Sequence, residues 1–363
     1  MNILIINPFG IGDVIFSTPL VAILKMKYPE SFIGYICNKR AYEVLKTNPN
    51  LDKMFLYEKD DYRHIWKRSK TGCLKEIFYF LDKIRKEKFD LVIDLSLGYQ
   101  YSMLMKLIGI KDRIGFNYRN RGRFLTRKID IEGFHEKHVI EYYLDLLRLI
   151  DIDISGYDAG PKVYTAASQK GPADRFLEEH AVTDKDMIIG VVAGCGASWG
   201  ADAVYRRWDG KKFALLSDML MKRYGARILL LGDHKDADVC RDIEAFTDDK
   251  VINLCGRTSM GEFVEYLTRC RMVVTNDGGP LHTAVGLGVP TVSIFGPVDE
   301  VVYGPYKSDV VHRVVSKKEL PCRPCYKRFK FNKCDNRLCL DSITVDDVMK
   351  ACEEVIAAGK EER

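Results

Sequence analysis

Residues 271–282 read Arg271-Met272-Val273-Val274-Thr275-Asn276-Asp277-Gly278-Gly279-Pro280-Leu281-His282, and the fold turns on how this stretch changes character midway. Met272–Thr275 is a short apolar strand. The two glycines after it let a backbone approach a ligand closely. Pro280 falls where a helix's first position is expected, and its missing N–H costs nothing there. The helix start offers main-chain N–H groups to an anion, and His282 follows within the first turn, on the same mouth. Strand, glycine turn and helix N-terminus together hold phosphate in α/β proteins. This unit lies late in the chain, which argues for a nucleotide site in a C-terminal domain.

Outward from it, strands alternate with helical segments along the 363 residues. Continuous apolar runs predict strands at Asn2–Asn7, Phe32–Cys37, Lys53–Leu56, Asp90–Leu95 and Arg113–Phe116. Further runs lie at Met187–Val192, Arg227–Leu231, Val251–Leu254, Met272–Thr275 and Thr291–Phe295. Runs of this kind suit parallel strands covered on both faces. Helices are clearest at Val14–Tyr28, Leu74–Lys88 and Val139–Ile150. Asp151–Gly171 loses periodicity and reads as an interdomain linker. The expectation is an α/β protein of two doubly wound, Rossmann-like domains, residues 1–160 and 172–342, facing across a cleft. A terminal amphipathic helix within 343–363 is expected to pack back across the first domain.

An apolar share of 47% and a charged share of 29% are those of a globular protein. No apolar run approaches the ~18 residues of a membrane span. The chain opens directly on a strand without a basic n-region or cleavage site, so a reducing cytoplasm is expected despite eleven cysteines. Net charge is only +5, but seven basic residues lie between Lys111 and Lys128 against the single acid Asp112. Arg119, Arg121 and Arg123 belong to that cluster; Arg63, Lys67, Arg68 and Lys70 form a second. The plain reading is solvated charge. The sharper one is a face toward a polyanion, and with no nucleic-acid module in the sequence, a phosphorylated glycolipid is favoured over nucleic acid.

Strand one leads into Asn7-Pro8-Phe9-Gly10-Ile11-Gly12-Asp13. A dinucleotide fingerprint fails here, because Ile15 replaces the third glycine and the second strand ends without an acid at Cys37-Asn38. Asp13 then caps the helix that begins near it, or is a carboxylate at a strand's C-terminal end, held ionised by the helix dipole and fit to act as a general base.

With both loops in hand, the chain resembles glycosyltransferase family 9, the heptosyltransferases of lipopolysaccharide assembly. The carriers are Gly10-Ile11-Gly12-Asp13 with Pro19, Arg206-Arg207-Trp208 after the strand-loop Val191–Ala197, and Thr275 through His282. Phe295-Gly296-Pro297 and Tyr303-Gly304-Pro305 complete them. The resemblance implies the GT-B fold, with the acceptor on the N-terminal domain and the sugar nucleotide on the C-terminal one. It implies inverting transfer of a heptose from ADP-heptose to the lipid A-Kdo core of lipopolysaccharide. Asp13 would be the base, with Gly12 and the basic residues Arg63, Arg68, Arg119, Arg121 and Arg123 toward the acceptor. Arg206, Asp236, Thr258, Asp277, Gly278, Gly279, Leu281 and His282 would serve the donor. Members commonly carry lysine at the Arg206 position; arginine keeps the charge and adds a fork. Transfer to a protein acceptor and a GT-B epimerase are the alternatives. No cofactor is expected for catalysis, since no Asp-x-Asp stands suitably at a strand end. Peripheral contact with the inner face of the cytoplasmic membrane is expected of an enzyme with a lipid-borne acceptor.

Cys322-x2-Cys325-x8-Cys334-x4-Cys339 gathers four cysteines in eighteen residues. The spacing suits a structural zinc or iron clip, with free thiols or two disulfides as the alternatives. Arg323, Lys327, Arg328, Lys330 and Lys333 make its loop a third basic patch. His135 and His138 have the spacing of a metal pair, and more simply suit the start of a helix.

Overall fold

The computed structural model describes residues 1–157, 160–165, 171–195, 200–334 and 336–361. Parts of the linker Asp151–Gly171 and the end of the loop Val191–Ala197 lie outside them. By its internal contacts the chain divides into Met1–Asp158 and Ala159–Arg363.

In the first unit the strands are β1 (Asn2–Ile6), β2 (Phe32–Cys37), β3 (Lys53–Leu56), β4 (Leu91–Asp94), β5 (Asp112–Tyr118) and β6 (Arg127–Ile131). They form one parallel sheet in the order β3-β2-β1-β4-β5-β6, with Ile6 opposite both Ile36 and Asp94. The second unit holds β7 (Ile188–Val192), β8 (Arg227–Leu230), β9 (Ile252–Asn253), β10 (Met272–Asn276), β11 (Thr291–Phe295) and β12 (His312–Ser316). Its order is β12-β11-β10-β7-β8-β9, again all parallel. The two units therefore repeat one wiring: each sheet starts in the middle, grows to one side, then reverses. The reversal opens a crevice beyond the strand ends, between β1 and β4 in one unit and between β7 and β10 in the other.

Side-chain alternation explains why these strands read as unbroken apolar runs. Ile189, Val191, Ile228, Leu230, Met272 and Val274 point into one core of the second unit. Their neighbours Ile188, Val192, Leu229 and Val273 point into another on the opposite face. A strand with a core on both sides has no polar face to show.

The terminal helix corrects an expectation. Helix Val345–Glu361 lays Val348, Met349, Cys352, Val355 and Ile356 into the first of those two cores, against the second unit's own sheet. Trp208 is the pillar of that core: its ring meets Phe213 edge-on at 4.9 Å, and its Nε1 donates to the Ile343 carbonyl at 3.1 Å.

Two other expectations change. The single helix Val14–Tyr28 is two, Ile11–Phe16 and Thr18–Lys27, separated at Ser17, with Pro19 in the first turn of the second. Asp13 is therefore inside the first helix rather than ahead of it. Strands β6 and β12 were not expected; both are sheet edges, and β6 alternates half-buried and exposed residues.

Candidate functional site

The second unit's site is built on the loops leaving β7 and β10. Asn276, at the end of β10, joins three segments. Its Nδ2 donates to the carbonyls of Ala193 at 2.7 Å and Gly194 at 3.3 Å, and its Oδ1 accepts from the Trp208 N–H at 2.9 Å. That fixes Arg206 and Arg207 over the strand ends. Arg206 Nη2 then donates to Asp277 Oδ2 at 2.5 Å, in a pair whose side chains are only 8% and 2% exposed. Burial pushes the Asp277 carboxyl up, and the guanidinium pulls it back. Arg207 Nη2 binds Asp236 Oδ1 at 2.6 Å, and burial raises the Asp236 carboxyl as well. The carboxylate packs so tightly on Gly194 that a Cβ there would lie 2.1 Å from Asp236 Oδ2.

Helix Gly279–Gly286 opens at this point, one residue ahead of the position expected from Pro280. Gly278 caps it, and a Cβ at Gly278 would lie 2.4 Å from the Cys195 carbonyl oxygen, so only glycine lets the two loops pass. The first-turn N–H groups have no acceptor within the helix. They give this end a partial positive charge suited to phosphate. His282 is buried on the same first turn. Leu281 is different: its side chain lies in an apolar cluster with Val285, Phe295 and Val298, so only its main chain can serve a ligand. Thr258 is half-buried in the loop after β9, which is tied to the loop after β8 by the Gly256 N–H donating to the Gly232 carbonyl at 3.0 Å.

In the first unit Asn7 does for its loop what Asn276 does in the second. Its Nδ2 donates to the Asp13 carbonyl at 3.0 Å, and its Oδ1 accepts from the Phe9 N–H at 3.3 Å. Asp13 is the third helical residue, and its Oδ2 accepts from the Gly10 N–H at 3.2 Å. The carboxylate thus closes the turn that contains Gly12 while remaining half-buried. Two buried phenols, Tyr35 and Tyr143, sense its charge, and both are held protonated chiefly by burial. Tyr35 Oη shares a hydrogen bond with Ser17 Oγ at 2.7 Å. Across the crevice, at the end of β4, Asp94 Oδ1 accepts from the Ser96 N–H at 2.9 Å, while burial pushes its carboxyl up to about 6.

The basic residues fall into two groups. Arg119, Arg121 and Arg123 follow β5 and lie over aromatic rings: Arg119 and Arg121 at 4.9 and 5.9 Å from Tyr118, and Arg123 at 4.5 Å from Tyr99 in the loop after β4. These three border the crevice loops. Arg63 and Arg68 are exposed on helix Lys59–Arg68, where Arg63 pairs with Asp60 at 2.7 Å.

The four cysteines of the expected clip are neighbours and form no disulfide. Among the described residues no three His, Cys, Asp or Glu side chains are placed to hold a metal ion. Cys325 Sγ lies 3.1 Å from the Cys322 carbonyl oxygen and Cys334 Sγ 2.6 Å from that of Asn336, and burial together with the neighbouring cysteines raises the Cys325 and Cys339 thiols. Arg323 also leaves the expected basic patch: it is buried, donating to the Gly296 and Val298 carbonyls and to Glu300 Oε2 at 2.8 Å. His138 caps helix Val139–Arg148, accepting from the Ile140 N–H at 3.2 Å, so the helix-start reading holds for it.

Asn7, Asn276, Arg207 and Asp94 were given no role from sequence. The first three stood inside quoted motifs, and a polar residue at the end of an apolar strand was the available signal.

The model of Glycosyltransferase family 9 (heptosyltransferase) matches residues 77–334. Lipopolysaccharide heptosyltransferase 3 of Escherichia coli is 22% identical over 356 residues, covering 96% of this chain and 97% of its own. Among solved structures, the glycosyl transferase family 9 from Veillonella parvula DSM 2008 superposes with a TM-score of 0.82 at 23% identity, covering 98% of this chain and 97% of its own. The E. coli ADP-heptose lps heptosyltransferase II gives 0.76 at 21% identity, covering 99% and 100%. Two doubly wound parallel sheets with these structural neighbours are the GT-B fold. The chain belongs to glycosyltransferase family 9. The matched segment contains Arg206, Asp236, Thr258, Asp277 and His282 and begins after Asp13.

Proposed function

We propose that this chain transfers a heptose from ADP-heptose to the lipid A-Kdo core of lipopolysaccharide, with inversion, at the cytoplasmic face of the inner membrane. The observation that carries the reading is the phosphate mouth at Gly278–His282, its two glycines and helix N-terminus held over β10 by Asn276 and the Arg206–Asp277 pair. The E. coli relatives, a lipopolysaccharide heptosyltransferase and an ADP-heptose lps heptosyltransferase, supply the sugar and the lipid class.

In this reading the first-turn N–H groups and His282 take the negative charge that grows on the departing diphosphate. Arg206 acts largely through position, because its guanidinium is already engaged with Asp277. In the first unit Asp13 accepts the proton of the acceptor hydroxyl as that oxygen attacks the anomeric carbon. Its bond from Gly10 orients the carboxylate at the end of the β1 loop. Arg119, Arg121 and Arg123 provide the charge that phosphorylated core sugars would meet.

Isothermal titration with ADP, UDP and GDP, repeated on His282→Ala, tests the donor side. Selective ADP binding that weakens in the variant supports the proposal. A preference for UDP, or no nucleotide binding, overturns the heptose assignment and favours another GT-B activity such as epimerisation.

A further inference from the structure

Helices Lys59–Arg68 and Lys70–Lys86 of the first unit meet at Ser69 and pack on one another. Their inner side is anchored. Tyr62 stacks on Tyr57 at 4.6 Å, and the Cys73 thiol donates to the Tyr62 carbonyl at 3.5 Å. Cys73, Phe80 and Ile84, at helical spacing, are buried. No residue of the first helix is fully buried.

The outer side is unusual for a protein in water. Trp66 is 46% exposed, Leu74 57%, Phe78 74% and Tyr79 56%. Leu74 and Phe78 are one turn apart and share a face. Lys70 stands one turn before Leu74, and its ammonium lies 5.9 Å over the Trp66 ring, which continues the row onto the first helix. Lys83 lies 4.2 Å over Tyr79. Charge points the same way. Residues 59–88 hold ten lysines and arginines against five acids, a surplus equal to the net +5 of the whole chain.

Large apolar side chains set among lysines and arginines on an amphipathic helix have one partner that satisfies both, an anionic lipid surface. Aromatic tips favour the headgroup level, and basic side chains reach the phosphates. We infer that this helix pair is the membrane-docking surface of the protein, with Trp66, Leu74 and Phe78 seated among the headgroups and Lys67, Arg68, Lys70 and Lys75 on lipid phosphates. No described helix is long and apolar enough to cross the bilayer, so docking is peripheral. The inference extends the proposed function by bringing the enzyme to a lipid-borne acceptor, and it is read without any acceptor.

The experiment is cosedimentation of the full chain with vesicles of phosphatidylcholine alone or with phosphatidylglycerol, containing no glycolipid. Binding is expected to the anionic vesicles only and to weaken with salt. The double variant Leu74→Ser/Phe78→Ser should partition about tenfold less or worse, with unchanged thermal unfolding and ADP affinity. No binding to either vesicle, or equal binding by the double variant, overturns the inference. So does a variant that changes only the oligomeric state, since the face would then belong to a second copy of the chain. A protein that binds vesicles yet transfers no heptose separates this inference from the proposed function.

Discussion

Arg206 and Asp277 meet at 2.5 Å in the interior of the second unit, each almost wholly withdrawn from solvent, seventy-one residues apart in the chain. A buried ion pair contributes little net stability, because desolvation opposes the attraction, but removing one member leaves the other charged and alone. The pair therefore acts as a latch that specifies where segment 206–208 lies over β10.

Arg206→Ala should lower the stability of the second unit by ~3–5 kcal/mol, the usual cost of stranding a buried charge. Adding Asp277→Asn to it should restore part of that loss. Urea unfolding of the single and double variants checks this, and additive losses would show that the two groups are not coupled.

Gly278→Ala should be damaging out of proportion to its size. The added methyl meets a main-chain oxygen, which cannot rotate away, and overpacking of this kind costs typically ~1–3 kcal/mol. Thermal unfolding and ADP titration should both register it. Gly261→Ala is the control: it lies in helix Met260–Arg269 with Ser259 Oγ as its nearest neighbour at 4.0 Å, and alanine there should be neutral or stabilising.

Asp13→Asn should cut kcat by ~10² to 10⁴ while leaving ADP affinity nearly unchanged. The variant keeps the acceptor for the Gly10 N–H, so the turn should survive. Steady-state transfer assays beside nucleotide titration make the test. An Asn variant with full activity would leave Asp13 a purely structural residue.

Asp94 predicts a pH signature. Its carboxyl titrates at about 6 in the folded chain against an ordinary 3.8, so the native state binds the proton more tightly than the unfolded one. Below about pH 4 both states are protonated and burial carries no charge penalty. As pH rises through 6 the penalty grows toward at most about 3 kcal/mol. The melting temperature of Asp94→Asn relative to the parent should therefore climb between pH 4 and 6.5. A difference that stays flat over that range would show an ordinary carboxylate.

Much of this was legible in the residues themselves. Interior strands such as Phe32–Cys37 and Thr291–Phe295 end where their apolar runs end, because a core on both faces leaves no ambiguity. The edge strands β6 and β12 escape a reading by apolar runs because they open on the polar pairs Arg127-Lys128 and His312-Arg313 and none of their residues is fully buried. The glycine turn and the helix mouth follow from local chemistry. The Arg206–Asp277 and Arg207–Asp236 pairs do not, since partners 71 and 29 residues apart are chosen by the sheet order rather than by neighbours in sequence.

Helix Val345–Glu361 has a bearing on how the chain is made. Its apolar face fills a core whose other walls come from Ile189, Trp208, Phe213 and Met272. On the ribosome, the first unit has all its strands by Ile131 and can condense while translation continues. The second must wait until its last wall has left the exit tunnel. During that interval Trp208 and its neighbours lie open to water and to other nascent chains. A stall or truncation ahead of Val345 would thus yield a molecule with a finished first unit and a second unit exposed to chaperones and proteases.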